Sequence, residues 1–325
     1  MSLLTASKVY KPFRYPWAYE AWATQQRIHW IPEEVSLHED LKDWKGKISD
    51  KEKNLLTQIF RFFTQSDIEV QNCYMTRYSR VFQPIEVQMM LTAFSNMETI
   101  HVAAYSYLLD TIGMPEAEYE AFLHYKAMRD KYEYYQTFDV DTKEHVALTL
   151  AAFGAFTEGL QLFASFAILL NFPRFNKMKG MGQIIAWSAR DETLHTHSII
   201  RLFKTYVEEN KAEINKERLN GELYKTCEKI IELEDAFIDL AFEMGDVEGL
   251  SASEVKQYIR YIGDRRLTQL GLEPRFNVSK NPLPWMDEML NGVEHTNFFE
   301  NRVTEYSKGT TQGTWEEAFA DLMQN

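Results

Sequence analysis

The chain has 325 residues, of which 45% are hydrophobic and 14% aromatic, so it can fill a large core. Only 14 Gly and 9 Pro interrupt it, which favours long helices over many short strands. The net charge of −13 comes with no cluster of Lys and Arg, so we expect no direct contact with nucleic acid.

Helix signals follow one another along the chain. The sequence Ser49-Asp50-Lys51-Glu52 has the capping-box pattern that opens a helix, and Pro, Gly or Asn separates most later segments. No run alternates for long enough to form a sheet, so we predict one all-α domain over residues 1–295 and a polar tail over 296–325. The predicted helices lie at about 19–30, 50–81, 84–113, 115–138, 145–171, 181–208, 211–245 and 252–269.

Two features bear on where the protein works. The N-terminal sequence MSLLTASKVYKPF has no apolar signal segment, and two cysteines are too few for a disulfide framework, so we expect a cytoplasmic protein. The run from Val146 to Leu170 is long enough to span a membrane, but Glu158 lies near its middle. We therefore predict a helix buried inside a large bundle and no membrane partner.

Glu158 is the first indication of a metal site. Burying an unpaired carboxylate costs several kcal/mol, so it must be protonated, paired with a cation or bound to a metal ion. No Lys or Arg lies within a turn or two of it. Asp67 is a second acid on a largely aromatic helix, directly after FRFFTQS.

Two Glu-x-x-His pairs complete the pattern. Residues three apart share one face of a helix, so each pair can present a carboxylate and an imidazole to one point. Either pair alone would be read as surface residues, but with the two buried acids they predict a ferritin-like bundle that holds two metal ions in its core. The predicted ligands are Asp67, Glu98, His101, Glu158, Glu192 and His195. Oxygen-rich ligation with one imidazole per metal suits iron or manganese better than zinc or copper.

The motifs SNMETIHVAAY, FTEGLQLF and SARDETLH, with IHWIPEEV near the start, resemble the small subunit of class I ribonucleotide reductase. The resemblance covers about residues 20–310. It implies a dimetal-carboxylate centre that is activated by oxygen species and generates an oxidising equivalent. This equivalent would pass to a large subunit, which reduces ribonucleoside diphosphates to deoxyribonucleotides.

The resemblance also assigns roles to single residues. Tyr105, on the same helix face as His101, matches the tyrosine that is oxidised to a stable radical. Asp191 matches the acid that orients His101, and Trp30 matches the tryptophan that continues this relay. Tyr306 is the only tyrosine in the tail and is the expected tail relay, with Trp315 as the alternative.

One position departs from the family pattern, and the sequence does not determine which metals are bound. Ser188 is polar where the pocket of the radical tyrosine usually has Ile or Leu. Two iron ions are the first expectation and two manganese ions the principal alternative, in which Tyr105 can stay unoxidised. Tyr105 argues against a mixed manganese–iron centre, because that subclass has Phe there.

The expected partners are a second copy of the chain, in a homodimer, and the large subunit. Docking to the large subunit would use the tail, whose apolar residues could act as anchors on a segment that orders on binding. These residues are Trp315, Phe319, Leu322 and Met323.

Two other functions compete with this interpretation. A related oxidase that binds a long-chain ligand at a manganese–iron site would have Glu as its first ligand, and Glu69 lies close to Asp67. A ferritin-like iron-binding protein would use the same bundle, although such subunits are shorter and assemble into cages. The oxidase has no need of the relay through Trp30 and Asp191, and a purely structural metal site does not explain Tyr105 beside the ligands.

Overall fold

The computed structural model describes residues 2–290, and within them helices follow one another with no strand. The α-helices are α1 (Pro16–Arg27), α2 (His38–Gly46), α3 (Asp50–Asn72), α4 (Ser79–Val81), α5 (Ile85–Ile112), α6 (Lys126–Tyr135), α7 (Lys143–Leu150), α8 (Leu162–Arg174), α9 (Lys179–Glu209), α10 (Lys216–Ala241) and α11 (Ala252–Leu270). The predicted all-α class is confirmed. The predicted boundary at residue 295 lies outside the described residues, as do Tyr306, Trp315, Phe319, Leu322 and Met323.

The helix predicted at 50–81 begins as expected. Ser49 accepts a hydrogen bond from the backbone N–H of Glu52, and the Glu52 carboxylate accepts from the backbone N–H of Ser49 at 2.9 Å. This capping box satisfies two N–H groups that the first helical turn leaves without partners. The helix widens into a π-helical segment at Cys73–Tyr78 before it ends in α4.

The helix predicted at 115–138 is wrong over its first half. After Gly113, which takes a left-handed conformation with φ of 75°, the chain makes 3-10 turns at Glu116–Glu118 and Ala121–Leu123. Only Phe122 is buried between residues 115 and 125, so this stretch has no apolar face along which an α-helix could pack. The α-helix starts later, at Lys126.

The apolar run forms a continuous helix at Lys143–Arg174, in which α7 and α8 flank a π-helical segment at Ala151–Gln161. It is long and apolar enough to cross a membrane, but its apolar window is entirely buried by other helices of the bundle. The prediction of a core helix therefore fits the structure. It runs past its predicted end at 171 because Gly182 leaves room for the ring of Pro173 in the last turn.

One further helix is shorter than predicted and runs from Lys216 to Ala241. The helix predicted at 211–245 begins only at Lys216, because the Asn215 side chain caps its first turn by accepting from the backbone N–H of Arg218. The helices predicted at 181–208 and 252–269 are confirmed as α9 and α11.

Glycine allows the π-helical segment Ala151–Gln161 to lie very close to α9. A Cβ atom on Gly154 would come within 2.3 Å of the Ile199 side chain, and one on Gly159 within 2.8 Å of Thr196. Real side chains do not approach so closely, so only Gly fits at these two positions. The close approach brings residue 158 to the inner face of α9. The segment also packs against α10 and α11 on its other sides.

Candidate metal centre

The six predicted ligands meet in the middle of the bundle, and each is at most 1% exposed. They come from four different elements: α3, α5, the π-helical segment Ala151–Gln161 and α9. Each Glu-x-x-His pair lies on one helix face, as expected from its spacing. The convergence was predicted from sequence, and the structure brings together Asp67, Glu98, His101, Glu158, Glu192 and His195.

The ligand atoms fall into two groups that share one residue. In each group, one atom from every member lies within 4.8 Å of the others. One group has Asp67, Glu98 and His101, and the other has Glu98, Glu158, Glu192 and His195. Glu192 also reaches both histidines, with Oε1 at 3.3 Å from Nδ1 of His101 and Oε2 at 3.5 Å from Nδ1 of His195. Glu98 and Glu192 therefore each have oxygens close to both histidines, and they would serve both metal ions.

The donor set fits a pair of divalent cations. Several buried atoms that face the centre have no hydrogen-bond partner among the described residues: Oδ2 of Asp67, both carboxylate oxygens of Glu98 and Glu192, and Nδ1 of His101 and His195. Buried polar atoms without partners are costly, so such a concentration of them indicates bound ions. Four carboxylates carry four negative charges, which two divalent cations neutralise. The oxygen-rich set with one imidazole per group suits iron or manganese.

His101 is oriented by a hydrogen-bonded pair of residues outside the cluster. Its Nε2 lies 3.2 Å from Oδ2 of Asp191, and the indole N–H of Trp30 donates to the same oxygen at 2.8 Å. A proton on Nε2 leaves the lone pair of Nδ1 directed at the centre. The predicted contact of Asp191 with His101 and Trp30 is thus present, and the ring planes of Trp30 and His101 stack at 6.0 Å.

Gln25 orients the second histidine and was missed from sequence. Its Oε1 lies 3.0 Å from Nε2 of His195, and its amide N–H donates to Oδ1 of Asp191 at 3.4 Å. Gln25 is 1% exposed, whereas the adjacent Gln26 is exposed. Both lie in α1, and the sequence TQQR carries no signal that distinguishes one from the other.

Tyr105 lies beside the group that contains His101, with ring centroids 6.3 Å apart. Its hydroxyl donates to Oγ of Ser188 at 2.8 Å, and Ser188 in turn donates to the backbone carbonyl of Ile184 at 3.0 Å. The residue that departs from the family pattern therefore contacts the phenol directly. Burial and the charge of Asp67 raise the pKa of Tyr105 well above its ordinary value, so it is a neutral phenol.

Tyr74 is a second buried tyrosine at the cluster and was also missed. Its hydroxyl donates to Oε1 of Glu158 at 2.7 Å, and its ring meets the ring of His195 edge-on at 6.4 Å. Tyr74 comes seven residues after Asp67, which is two helical turns. That spacing was the one available signal that it shares the inner face of its helix.

The electrostatics of the cluster favour proton loss on cation binding. Burial raises the pKa of Glu158 to about 8 and that of Asp67 well above its usual range. Burial alone would lower the pKa of His101, but the hydrogen bond with Asp191 and the nearby carboxylates of Glu192 and Glu98 raise it well above 6.5. The groups share protons until a metal ion displaces them.

Four carboxylates and two imidazoles, buried at the centre of an all-α bundle, define a dimetal-carboxylate protein of ferritin-like fold. The family model of the ribonucleotide reductase small chain matches residues 7–282, and the chain belongs to that family. A relative from Invertebrate iridescent virus 3, named "Probable ribonucleoside-diphosphate reductase small subunit 048L", is 46% identical over 97% of this chain and 88% of its own.

Two further comparisons agree. The ribonucleoside-diphosphate reductase subunit beta of Chlamydia pneumoniae is 30% identical over 91% of this chain and 88% of its own. The structure of the ribonucleotide reductase R2 subunit from Clostridium botulinum shares the fold, with a TM-score of 0.82 and 24% identity over 89% of this chain and 94% of that one. The radical-generating role in class I ribonucleotide reductase follows from the family, and the family and the buried cluster together indicate a dinuclear metal centre.

Proposed function

We propose that this chain generates the oxidising equivalent for ribonucleoside-diphosphate reduction at two metal ions held by the six clustered residues. The observation that carries the proposal is the convergence of these buried side chains with their unpartnered atoms directed at one another. The proposed ligands are Asp67, Glu98, His101, Glu158, Glu192 and His195. When bound, the metal ions supply the reaction with O2 or a reduced oxygen species and the storage of the oxidising equivalent.

The chain's own residues hold and shield this centre. Glu98 and Glu192 would hold both metal ions, while Asp191 and Gln25 orient the two imidazole rings. The ring of Phe94 lies over His195, with centroids 4.2 Å apart, and belongs to a wall of buried side chains that excludes water. A dry pocket protects an oxidant from being quenched.

Tyr105 is the proposed radical residue. It is 4% exposed, lies beside His101 and packs its ring against Phe63 at 4.7 Å. Its phenolic proton is directed at Ser188, so a path for the proton exists beside the path for the electron. If the metal ions keep the oxidising equivalent themselves, Tyr105 is a buried neighbour and no more.

The proposed route to the large subunit begins at His101 and passes through Asp191 to Trp30. The hydrogen bonds of this relay share one carboxylate oxygen, and the ring of Trp30 packs against Trp187 at 5.3 Å. The route would continue through Tyr306, or alternatively Trp315. We propose that residues 296–325 dock this chain, as a cytoplasmic homodimer, to the large subunit, with the apolar tail residues as anchors.

Iron in both positions is the metal content we propose, with manganese in both as the alternative. Carboxylate oxygens with one imidazole per metal suit either ion. Tyr105 disfavours the mixed manganese–iron centre, whose subclass carries Phe at this position.

The ligand-binding oxidase is disfavoured by two observations. Glu69 would have to serve as first ligand, but its carboxylate accepts from the side-chain amides of Gln136 at 2.7 Å and Gln65 at 3.2 Å. The contact of Trp30 with Asp191 has no purpose in that enzyme. A ferritin-like storage protein likewise leaves this contact and Tyr105 unexplained.

An EPR spectrum of the active protein, with metal content determined on the same sample, tests the proposal. Two iron ions per chain and a stable tyrosyl doublet that is absent from Y105F would support di-iron chemistry with the stable radical on Tyr105. A multiline manganese spectrum and full activity of Y105F would indicate that the metal ions themselves hold the oxidising equivalent. A protein that binds fewer than two metal ions per chain would contradict the proposal.

Removal of residues 296–325 tests the docking function separately. The shortened chain should keep its metal content and its EPR signal, because all six proposed ligands lie in the part that remains. It should lose turnover with the large subunit. Full turnover of the shortened chain would refute docking through the tail.

A further inference from the structure

Tyr74 is a buried phenol that the proposed mechanism does not use. It lies in the π-helical segment Cys73–Tyr78, directly after α3, and is 2% exposed. Its hydroxyl donates to Oε1 of Glu158 at 2.7 Å, so it touches a proposed metal ligand directly. The hydroxyl of Tyr105, in contrast, donates to Ser188.

The two tyrosines belong to different halves of the centre. Tyr105 lies beside His101, which is grouped with Asp67. Tyr74 contacts Glu158 and meets the ring of His195 edge-on, and both of these belong to the other group. Each metal position thus has one buried tyrosine beside it.

The surroundings of Tyr74 give its phenolic proton an acceptor and keep out water. The hydroxyl donates to Oε1 of Glu158 at 2.7 Å, and the side chain is 2% exposed. A phenol can give up an electron to a strong oxidant when its proton has an acceptor in place, and Oε1 of Glu158 is such an acceptor. Buried aromatic rings, Phe94 at 6.2 Å and Tyr78 at 5.6 Å, keep the site dry.

We propose that Tyr74 is a second oxidisable tyrosine of the centre, on the side of Glu158 and His195. In the step, Tyr74 would give one electron to the oxidised centre, and the oxidation state of one metal ion would fall by one. The phenolic O–H bond breaks, and the proton moves along the hydrogen bond to Oε1 of Glu158. The oxidant is the centre after reaction with O2 or a reduced oxygen species, so this inference rests on the proposed function.

The test uses Y105F protein, in which the first tyrosine cannot compete. The full chain is loaded with iron(II), mixed with O2 and frozen at successive times for EPR spectroscopy. We expect a short-lived tyrosyl signal, distinct from the stable doublet of the wild-type protein, whose hyperfine splitting collapses when tyrosine with a deuterated ring is supplied. In Y74F/Y105F this signal should be lost.

Tyr78 provides a matched control. It is buried on the same π-helical segment, but its hydroxyl donates to the backbone carbonyl of Thr149 at 3.0 Å and to no carboxylate. The Y78F/Y105F protein should therefore keep the signal. A signal lost in Y78F/Y105F and kept in Y74F/Y105F would overturn the assignment to Tyr74.

A fluorinated tyrosine at position 74 tests the assignment without removing the hydroxyl. A ring fluorine next to the oxygen couples to an unpaired electron on that ring and adds a resolvable splitting. We expect this splitting in Y105F protein with fluorotyrosine at position 74. This measurement decides the question if Y74F lowers metal content or prevents folding.

The outcomes separate this inference from the proposed function. If the iron ions of Y105F are oxidised, as the optical spectrum and metal content show, but no radical with the signature of residue 74 forms, Tyr74 is structural and only this inference fails. If the wild-type centre takes up no iron or is not oxidised by O2, the proposed function fails and the inference fails with it.

Discussion

The hydrogen bond between Tyr105 and Ser188 has a measurable energetic signature. In S188A the phenol would be buried without its acceptor, so the free energy of unfolding should fall by about 1–3 kcal/mol. Y105F removes the same bond from the other side. In S188A/Y105F the loss should therefore be smaller than the sum of the two single losses. Urea unfolding of the four proteins measures this coupling, and strictly additive losses would show that the two hydroxyls do not interact.

Gln25 has a matched neighbour for a test of its role. Q25L removes the carbonyl that holds Nε2 of His195, so we expect metal affinity to fall by about 10- to 100-fold. Q26L changes an exposed residue of the same helix and should leave affinity unchanged. Competition with a chromophoric chelator measures the metal affinity of both variants. Equal affinities of Q25L and wild type would show that Gln25 does not support metal binding.

At the scale of elements, the close packing of the π-helical segment Ala151–Gln161 on α9 depends on its glycines. In G154A the added methyl group would lie 2.3 Å from the Ile199 side chain, and relief of this clash should cost about 1–3 kcal/mol. Gly221 is a control in α10, where a methyl group meets no atom of the described residues within 4 Å. G221A should stabilise by about 0.5–1 kcal/mol. Thermal unfolding compares the stability of G154A and G221A. An equal effect of the two substitutions would contradict the packing argument.

Elements differ in how far they could be predicted. The helix around Glu158 was predictable because a single charge in an apolar run demands a partner, and the Glu-x-x-His pairs follow from helical spacing. The widening of this helix into a π-helix was not predictable, because π-helical and α-helical segments do not differ in composition. The hydroxyl of Thr157 donates to the carbonyl of Ala152, five residues earlier, which reflects the widened backbone.

Residues that act through contacts between distant segments were the hardest to predict. Gln25 and His195 are 170 positions apart, so no local pattern links them. Trp30 and Asp191 were assigned through the family resemblance, because their residue types alone fit a core ring and a surface acid. The segment 115–125 was predicted wrongly because Pro115 was interpreted as the start of a helix, although only Phe122 is buried in this segment.

At the scale of the whole molecule, metal binding and pH should be linked. Burial raises the pKa of Glu158 from 4.5 to about 8, so between these values the folded metal-free protein keeps a proton that the unfolded chain releases. This group's contribution to stability is therefore full below pH 4.5 and is lost as the pH rises toward 8.

Metal ions bind the ionised carboxylate, so their affinity should rise across the same range. We expect the difference in melting temperature between metal-loaded and chelator-treated protein to widen as the pH rises through it. Calorimetry at both ends of the range measures this difference. A difference that stays constant would show that no proton is displaced from the cluster on binding.

The amide of Gln25 connects the two histidines of the centre through hydrogen bonds. It contacts His195 with one end and Asp191 with the other, and Asp191 holds His101. A first ion held by one histidine would therefore restrain α1 and both imidazole rings at once. A second ion would then meet ligands whose conformational entropy has already been lost, which would favour cooperative loading over a population of half-filled proteins.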